Sequence, residues 1–228
     1  MIGGAGQLPL DLPHEPSFAR EDFLAAPAND EALRTVDAWP NWAGRMLLLS
    51  GPAGSGKSHL GAIWALAAQA VSVEAAALAE SEPAELAQAD AILIENVDRI
   101  GAEGEANLFH LLNLARQSGA FVLLTARGGV DDWGLKKLDL RSRLRLAPIA
   151  TLGQPDADLA RAVLFKLFSD RQLNVDPSVI AYIGLRIDRS LGAARSVVDA
   201  LDREALARGK AVTRAMAARL LRDATDED

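Results

Sequence analysis

The chain has 228 residues, half of them hydrophobic, which suits one α/β domain of about 150 residues with a smaller second domain. Its 31 acidic residues outnumber its 24 basic ones, and the net charge of -7 disfavours a free-standing nucleic-acid binder, whose affinity would come from neutralising phosphates. The absence of cysteine excludes a disulfide framework and a thiolate metal site. No apolar stretch reaches about 18 residues and no signal peptide begins the chain, so we expect a cytoplasmic protein without membrane contact.

Residues 1–16 contain three glycines and three prolines without helical or strand periodicity, which predicts a flexible N-terminal tail. Within the tail, a glutamine precedes leucines at alternate positions: Gln7, Leu8, Leu10 and Leu12. Extended peptides of this kind dock into pockets on partner proteins. The alternative is a tail that folds back over an apolar patch of its own domain.

Residues 17–44 lead into the first strand. Phe18, Phe23 and Leu24 precede Asn29 and Asp30, either of which can cap a helix that runs to about Trp39. In P-loop proteins such a lead-in often closes over the adenine.

The pattern G-x-x-x-x-G-K-[ST] follows a short apolar run at 46–49 and precedes an Ala/Leu-rich segment at 60–70. This strand, loop and helix order is the context that a P-loop requires. The backbone N–H groups can wrap a phosphate, the lysine can reach the β- and γ-phosphates, and the serine hydroxyl can bind Mg²⁺. The alternative is a glycine-rich turn between a strand and a helix. The pattern is filled by Gly51, Pro52, Ala53, Gly54, Ser55, Gly56, Lys57 and Ser58.

The sequence predicts a short strand at residues 71–73. It predicts a helix interrupted by Pro83 at residues 74–89. Residues 91–98 form a hydrophobic strand that ends in acids, the arrangement known as Walker B. Glu95 occupies the position that holds Mg²⁺ directly or through water, beside Ser58. Asn96 stands where an active ATPase usually has the carboxylate that orients the attacking water. Because an amide cannot take up a proton, we expect slow intrinsic hydrolysis.

Residues 104–118 have a helical apolar stripe that Gly119 ends, and residues 120–124 form another buried strand. The strand is closed by Thr125, which either senses the γ-phosphate or simply caps the strand. Residues 138–145 contain three arginines, and a solvated basic face is one interpretation of that run. From residue 153 the predicted secondary structure is helical. Capped segments at 156–171, 176–187, 191–207 and 213–222 predict a small lid domain.

With these motifs in place, the sequence resembles the DnaA-related AAA+ family, and within it the shortened regulators called Hda or HdaA. Residues 51–60 resemble its Walker A with the following histidine, His59, and residues 109–114 resemble its Phe-x-x-x-Asn-Leu helix. Residues 140–144 resemble the box that carries the arginine finger, here Arg143, and residues 188–191 the lid segment whose sensor arginine is Arg189. Residues 7–12 are similar to the clamp-binding motif of the regulators.

The resemblance implies an α/β AAA+ P-loop fold with a parallel sheet and a helical lid, divided into a tail (1–16), a nucleotide-binding domain (17–152) and the lid (153–228). It implies ADP or ATP with Mg²⁺ as cofactors, and His59 and Arg189 as nucleotide contacts. A regulator of this kind, held on the DNA-loaded sliding clamp, triggers hydrolysis of the ATP bound to the initiator DnaA. DNA is then contacted only indirectly, and self-association as a homo-oligomer is left open.

Two features depart from the initiator: Glu95 replaces the usual aspartate, and the region 71–89 is shorter. Two other functions compete with the regulator. An autonomous ATPase acting as a motor or loader is disfavoured by Asn96. A DNA-binding initiator paralogue or nucleotide-gated scaffold is disfavoured by the acidic charge and by the lack of a helix-turn-helix pattern after the lid.

Overall fold

The computed structural model describes residues 19–188 and 190–223 of the chain. Nine helices and five strands follow one another in these residues, apart from short 3-10 turns. The helices are α1 (Asp30–Asp37), α2 (Lys57–Ala68), α3 (Pro83–Leu86), α4 (Ala102–Ser118), α5 (Leu138–Arg145), α6 (Ala157–Asp170), α7 (Pro177–Gly184), α8 (Leu191–Arg208) and α9 (Arg214–Asp223). The strands are β1 (Met46–Ser50), β2 (Val71–Glu74), β3 (Ala91–Glu95), β4 (Phe121–Ala126) and β5 (Ile149–Thr151).

The five strands form one sheet in the order β2-β3-β4-β1-β5, and every neighbouring pair is parallel. A parallel sheet is covered on both faces, which explains why its strands are continuous apolar runs. In β1, Leu48 packs into the core under α4, whereas Leu47 and Leu49 face the opposite core with α1 and α2. All strands end at one edge, called here the carboxyl edge, and begin at the other, the amino edge.

The helices after residue 153 have a hydrophobic core of their own, with Leu164, Phe168, Ile183, Val198 and Leu201 at its centre. All four predicted helices are present, within a few residues of the predicted bounds. Side-chain oxygens cap all four at the expected kind of position: Asp156 in α6, Asp176 in α7, Ser190 in α8, and Thr213 in α9. No helix in the described residues has the length and apolar character needed to cross a lipid bilayer.

One local prediction needs correction, and one strand was missed. Residues 75–80 form a 3-10 helix and only the four residues of α3 are α-helical, because the residue before Pro83 is extended. Helix α5, at residues 138–145, buries Leu140 and Leu144, which lie one turn apart, and leaves Arg145 exposed. Strand β5 was not predicted, because it has only three residues and buries only Ala150.

Candidate functional site

The P-loop connects the carboxyl end of β1 to the first turn of α2. Gly54 (φ 68°) and Gly56 (φ 99°) adopt left-handed backbone conformations that side chains rarely tolerate. A Cβ on Gly54 would also lie 2.3 Å from the Cβ of Ser190 in the lid. Because α2 begins at Lys57, its first backbone N–H groups have no partner within the helix and are aligned for an anion.

The ammonium of Lys57 lies inside the concave side of this loop. Its Nζ donates to the carbonyl oxygens of Gly51 at 2.8 Å and Pro52 at 2.7 Å, and the residue is buried. Burial lowers the pKa of Lys57, the nearby charge of Arg127 lowers it further, and Asp98 opposes both effects. A negatively charged group in the loop would therefore be attracted by a cation that is poorly solvated.

Ser58 and Glu95, predicted to hold Mg²⁺, are hydrogen-bonded to each other. The Ser58 hydroxyl donates to the carboxylate at the end of β3, and Ser58 remains exposed. Burial raises the pKa of Glu95, the bond from Ser58 lowers it, and the charge of Glu74, its register partner on β2, raises it again. A hydroxyl and a carboxylate are oxygen ligands of the type that Mg²⁺ binds beside phosphates, so the pair fits the ion.

Asn96 occupies the turn directly after Glu95 in a left-handed conformation (φ 56°). Its side-chain nitrogen donates to the two carboxylate oxygens of Glu74, at 2.9 and 3.2 Å. Its backbone N–H donates to the hydroxyl of Thr125 at 3.1 Å, and Thr125 is completely buried. Thr125, the predicted γ-phosphate sensor, thus accepts a hydrogen bond from the turn that follows the Walker B strand. The side-chain amide of Asn96 donates to Glu74 on β2.

Two charged residues at this edge were not predicted as site residues. Arg127 was missed, and Asp98 was given no role. The backbone N–H of Arg127 donates to Asp98 at 2.9 Å, and the charges of both residues act on Lys57. Arg127 follows β4 and Asp98 follows β3, so both lie at the carboxyl edge, where ligands of open α/β sheets bind. That position was the signal in the sequence.

His59 lies beside a cavity of about 560 Å³ between the lead-in segment and the lid. Its ring packs edge-on against Phe23, with 5.6 Å between centroids. The cavity wall includes Leu24, Leu159 and Leu191. Burial lowers the pKa of His59, and the charge of a lid arginine adds to this, so the neutral imidazole is favoured. Charged residues such as Lys166, Asp170 and Arg195 also line the cavity. A partly apolar cavity with polar groups next to a phosphate loop has the character expected for a nucleotide base.

Arg143 lies far from these residues, near the end of α5, which leads into the start of β5 at the amino edge. Its Cζ lies 5.3 Å from the ring centroid of Phe109, and its Nη1 is buried without a hydrogen-bond partner in the described part of the chain. The structure therefore brings together the P-loop, Glu95 and Thr125, and leaves Arg143 at the opposite edge of the sheet.

No protein-family model and no curated protein sequence matches the chain. Solved structures do match. Domain III of the replication initiation protein DnaA from Thermotoga maritima has 21% identity and a TM-score of 0.78, over 93% of this chain and 98% of that one. AMPPCP-bound DnaA from Aquifex aeolicus has 16% identity and a TM-score of 0.74, over 93% and 71%. A variant of Thermotoga maritima RuvB has 16% identity and a TM-score of 0.68, over 89% and 70%.

The chain has the AAA+ fold. Its five-stranded parallel sheet with helices on both faces is the expected α/β P-loop architecture, and that prediction is confirmed.

In this AAA+ fold the lid contacts the P-loop directly. The backbone N–H of Leu191 donates to the carbonyl oxygen of Gly54 at 2.8 Å, and Lys166 on α6 pairs with Asp22 of the lead-in segment at 2.6 Å. Two predicted groups lie outside the described residues: Arg189, and the clamp-binding residues Gln7, Leu8, Leu10 and Leu12.

Proposed function

We propose that the protein is a nucleotide-binding regulator of replication initiation. It holds ADP or ATP with Mg²⁺ and, on the DNA-loaded sliding clamp, stimulates hydrolysis of the ATP bound to the initiator DnaA. The observation that carries this proposal is the separation of two parts across one sheet: a phosphate-binding loop beside the amide of Asn96, and Arg143 at the other edge.

The nucleotide is held by residues that the fold gathers at the carboxyl edge. Backbone N–H groups of the P-loop and Lys57 bind the phosphates, Ser58 and Glu95 hold Mg²⁺, and the cavity beside His59 takes the base. Mg²⁺ held by Ser58 and Glu95 would neutralise part of the phosphate charge. In the lid, Arg189 is proposed to lie over the phosphates. The contact of Leu191 with Gly54 supports this role, because it brings the lid segment that follows Arg189 onto the P-loop.

Slow hydrolysis of the protein's own nucleotide follows from Asn96. The side-chain nitrogen is held by Glu74, and an amide cannot accept the proton of an attacking water. The protein therefore keeps its nucleotide as a structural ligand.

Arg143 is proposed to act on the nucleotide of a neighbouring molecule. The five residues of β1 span about 16 Å, more than an arginine side chain reaches, so the guanidinium cannot serve the P-loop of its own chain. The transition state of phosphoryl transfer spreads negative charge over the γ-phosphoryl oxygens, and an arginine supplied by a neighbour stabilises it.

The clamp contact is assigned to the tail. Residues 1–16 contain the clamp-binding motif, residues 17–152 bind the nucleotide, and residues 153–228 form the lid. This division supports a role in which the clamp concentrates the regulator near DNA without a DNA contact of its own.

Measurement of ATP turnover tests the proposal. The protein is assayed alone, with clamp, with DnaA, and with DnaA and DNA-loaded clamp together. We expect little turnover by the protein alone and a large acceleration of DnaA's ATP hydrolysis in the complete mixture. Absence of any acceleration there would refute the regulatory function.

An autonomous ATPase, or a nucleotide-gated scaffold or loader, is the second candidate. The similarity to RuvB structures favours it, and Asp98 supplies a carboxylate whose charge acts on Lys57. The same assay separates the two functions, because an autonomous enzyme turns over ATP without DnaA.

A further inference from the structure

A second cavity, of about 370 Å³, opens at the amino edge of the sheet, far from the P-loop. It lies between α4 and the starts of β1 and β4. Its apolar wall is formed by Met46, Leu112 and Val122, and Leu146 stands at its mouth with 86% of its surface exposed. We call it the arginine pocket, because Arg45, Arg116 and Arg143 also line it.

The charges in the arginine pocket are unbalanced. Among the described lining residues there is no aspartate or glutamate, although the whole chain has a net charge of -7. Arg45 is held in place: its Nη1 donates to the carbonyl oxygen of Gly119 at 2.6 Å, and its guanidinium lies 4.7 Å from the ring centroid of Phe121. Arg116 is exposed and makes no hydrogen bond or ion pair within the described residues.

Arg143 has a buried Nη1 without a hydrogen-bond acceptor in the described residues. A buried unpaired donor costs free energy, and this cost is larger for a charged group. The present position of the guanidinium, over Phe109, is therefore easily given up. A partner that binds here has to supply little energy to draw Arg143 out toward a phosphate.

The chemistry of the pocket defines its occupant. Apolar walls favour an aliphatic or aromatic side chain, and buried anchors of this kind dominate the energy of protein interfaces. Guanidinium groups at the rim favour carboxylates, which they bind in a bidentate manner. An apolar side chain next to an aspartate or glutamate would fit both the apolar wall and the guanidinium groups at the rim.

We propose that the arginine pocket is the docking site for the partner whose ATP Arg143 serves, and that it accepts an apolar anchor flanked by a carboxylate on that partner. This inference rests on the proposed function, since it takes DnaA as the occupant. The pocket includes Arg143 itself, so docking and placement of the catalytic guanidinium occur at one contiguous surface.

The test separates docking from catalysis. DnaA's ATP hydrolysis is measured on DNA-loaded clamp as a function of the concentration of the parent, Leu146→Ala, or Arg116→Glu. Both positions are exposed, so the variants should keep the fold, which a thermal melt checks. We expect the half-saturating concentration to rise about tenfold for each variant while the plateau rate stays at the parent's value.

Measurements at several salt concentrations distinguish the charged contact of Arg116 from the apolar contact of Leu146. The defect of Arg116→Glu should shrink as ionic strength rises, because exposed charges are screened, whereas the defect of Leu146→Ala should persist. Matched controls on the lid are Leu185→Ala, at a site 82% exposed, and Arg222→Glu, also exposed. Neither control should change the half-saturating concentration.

An unchanged half-saturating concentration for both pocket variants, with a parent that stimulates, would overturn the docking site and leave the proposed function standing. A parent that does not stimulate would end the proposed function and this inference together. If Leu146→Ala instead shifted the sedimentation of the protein alone, the occupant would be a second copy of this chain, which also overturns the proposal.

Discussion

The two edges of the sheet differ in how far their charged groups are satisfied. At the carboxyl edge, Lys57 bonds to two carbonyl oxygens, Glu95 bonds to Ser58, and Asp98 bonds to a backbone N–H. At the amino edge, Arg45 bonds to a carbonyl oxygen, but Arg143 has a buried nitrogen without an acceptor in the described residues. Under the proposed function, the carboxyl edge receives a small ligand, and groups from another molecule complete the amino edge.

The free energy of binding explains this contrast between the two edges. A preformed site loses little conformational entropy when a nucleotide binds, so internal hydrogen bonds that hold it in shape favour affinity. A catalytic arginine for a neighbour's phosphate gains nothing from strong bonds within its own chain, because those bonds would have to break before it could act. Weak local bonding of Arg143 is therefore what a function in trans requires.

At the carboxyl edge, the largest expected effect is that of Lys57→Ala. The variant loses the ammonium that we propose binds the phosphates, and we expect nucleotide affinity to fall by roughly 100-fold or more. Isothermal titration calorimetry with ADP measures it, with exposed Lys210→Ala as the matched control. Undiminished ADP affinity in Lys57→Ala would break the assignment of this edge to the nucleotide.

A change in the tail should affect neither edge. Replacing Gln7, Leu8 and Leu10 by alanine removes the predicted clamp motif, and we expect clamp binding to be lost in a pull-down with DNA-loaded clamp. Nucleotide affinity and the thermal melt should stay at parent values. Alanines at His14 and Glu15 are the control within the same tail. Clamp capture by the triple variant would assign the clamp contact to another part of the chain.

A smaller effect is expected from Glu95→Gln. Because the folded chain raises the pKa of Glu95 above its ordinary value of 4.5, the neutral form favours folding. This contribution is fully present below pH 4.5 and is lost as the pH rises through the folded-state pKa. The glutamine stays neutral, so at pH 7 the variant should melt at or above the temperature of the parent, with the difference disappearing below pH 4.5.

The same variant should bind ADP less tightly in the presence of Mg²⁺, because a carboxylate ligand is lost, and equally well in the presence of a chelator. Titrations under both conditions give the comparison. A lower melting temperature at pH 7 together with unchanged Mg²⁺ dependence would mean that Glu95 is a structural residue only.

Much of the fold was predictable because its signals are local. The buried strands β1, β3 and β4 are short apolar runs, the P-loop has a fixed spacing, and the lid helices begin at recognisable caps. Strand β5 gave no signal, because three residues with one buried side chain have no periodicity. Its place in the sheet is decided by pairing with β1.

The site was predictable only where one motif contains it. Lys57 and Ser58 belong to a single pattern, whereas Arg127 acts on Lys57 from 70 positions away, through the parallel pairing of β1 and β4. The arginine pocket combines Arg45, Arg116 and Arg143, which come from three elements. Contacts between distant segments depend on tertiary packing, and a single sequence contains no direct record of them.

We propose that the amino edge completes the active site of another molecule. This proposal is tested most directly by Arg143→Ala in the complete mixture of DnaA, ATP and DNA-loaded clamp, with Arg145→Ala as the control because that guanidinium pairs with Asp131. A catalytic arginine supplied by a neighbour is worth roughly 10³ to 10⁵ in rate. We predict that Arg143→Ala returns DnaA's ATP hydrolysis to its rate without the regulator, with ADP and clamp binding retained, whereas Arg145→Ala stimulates like the parent. Full stimulation by Arg143→Ala would show that Arg143 does not supply the catalytic charge.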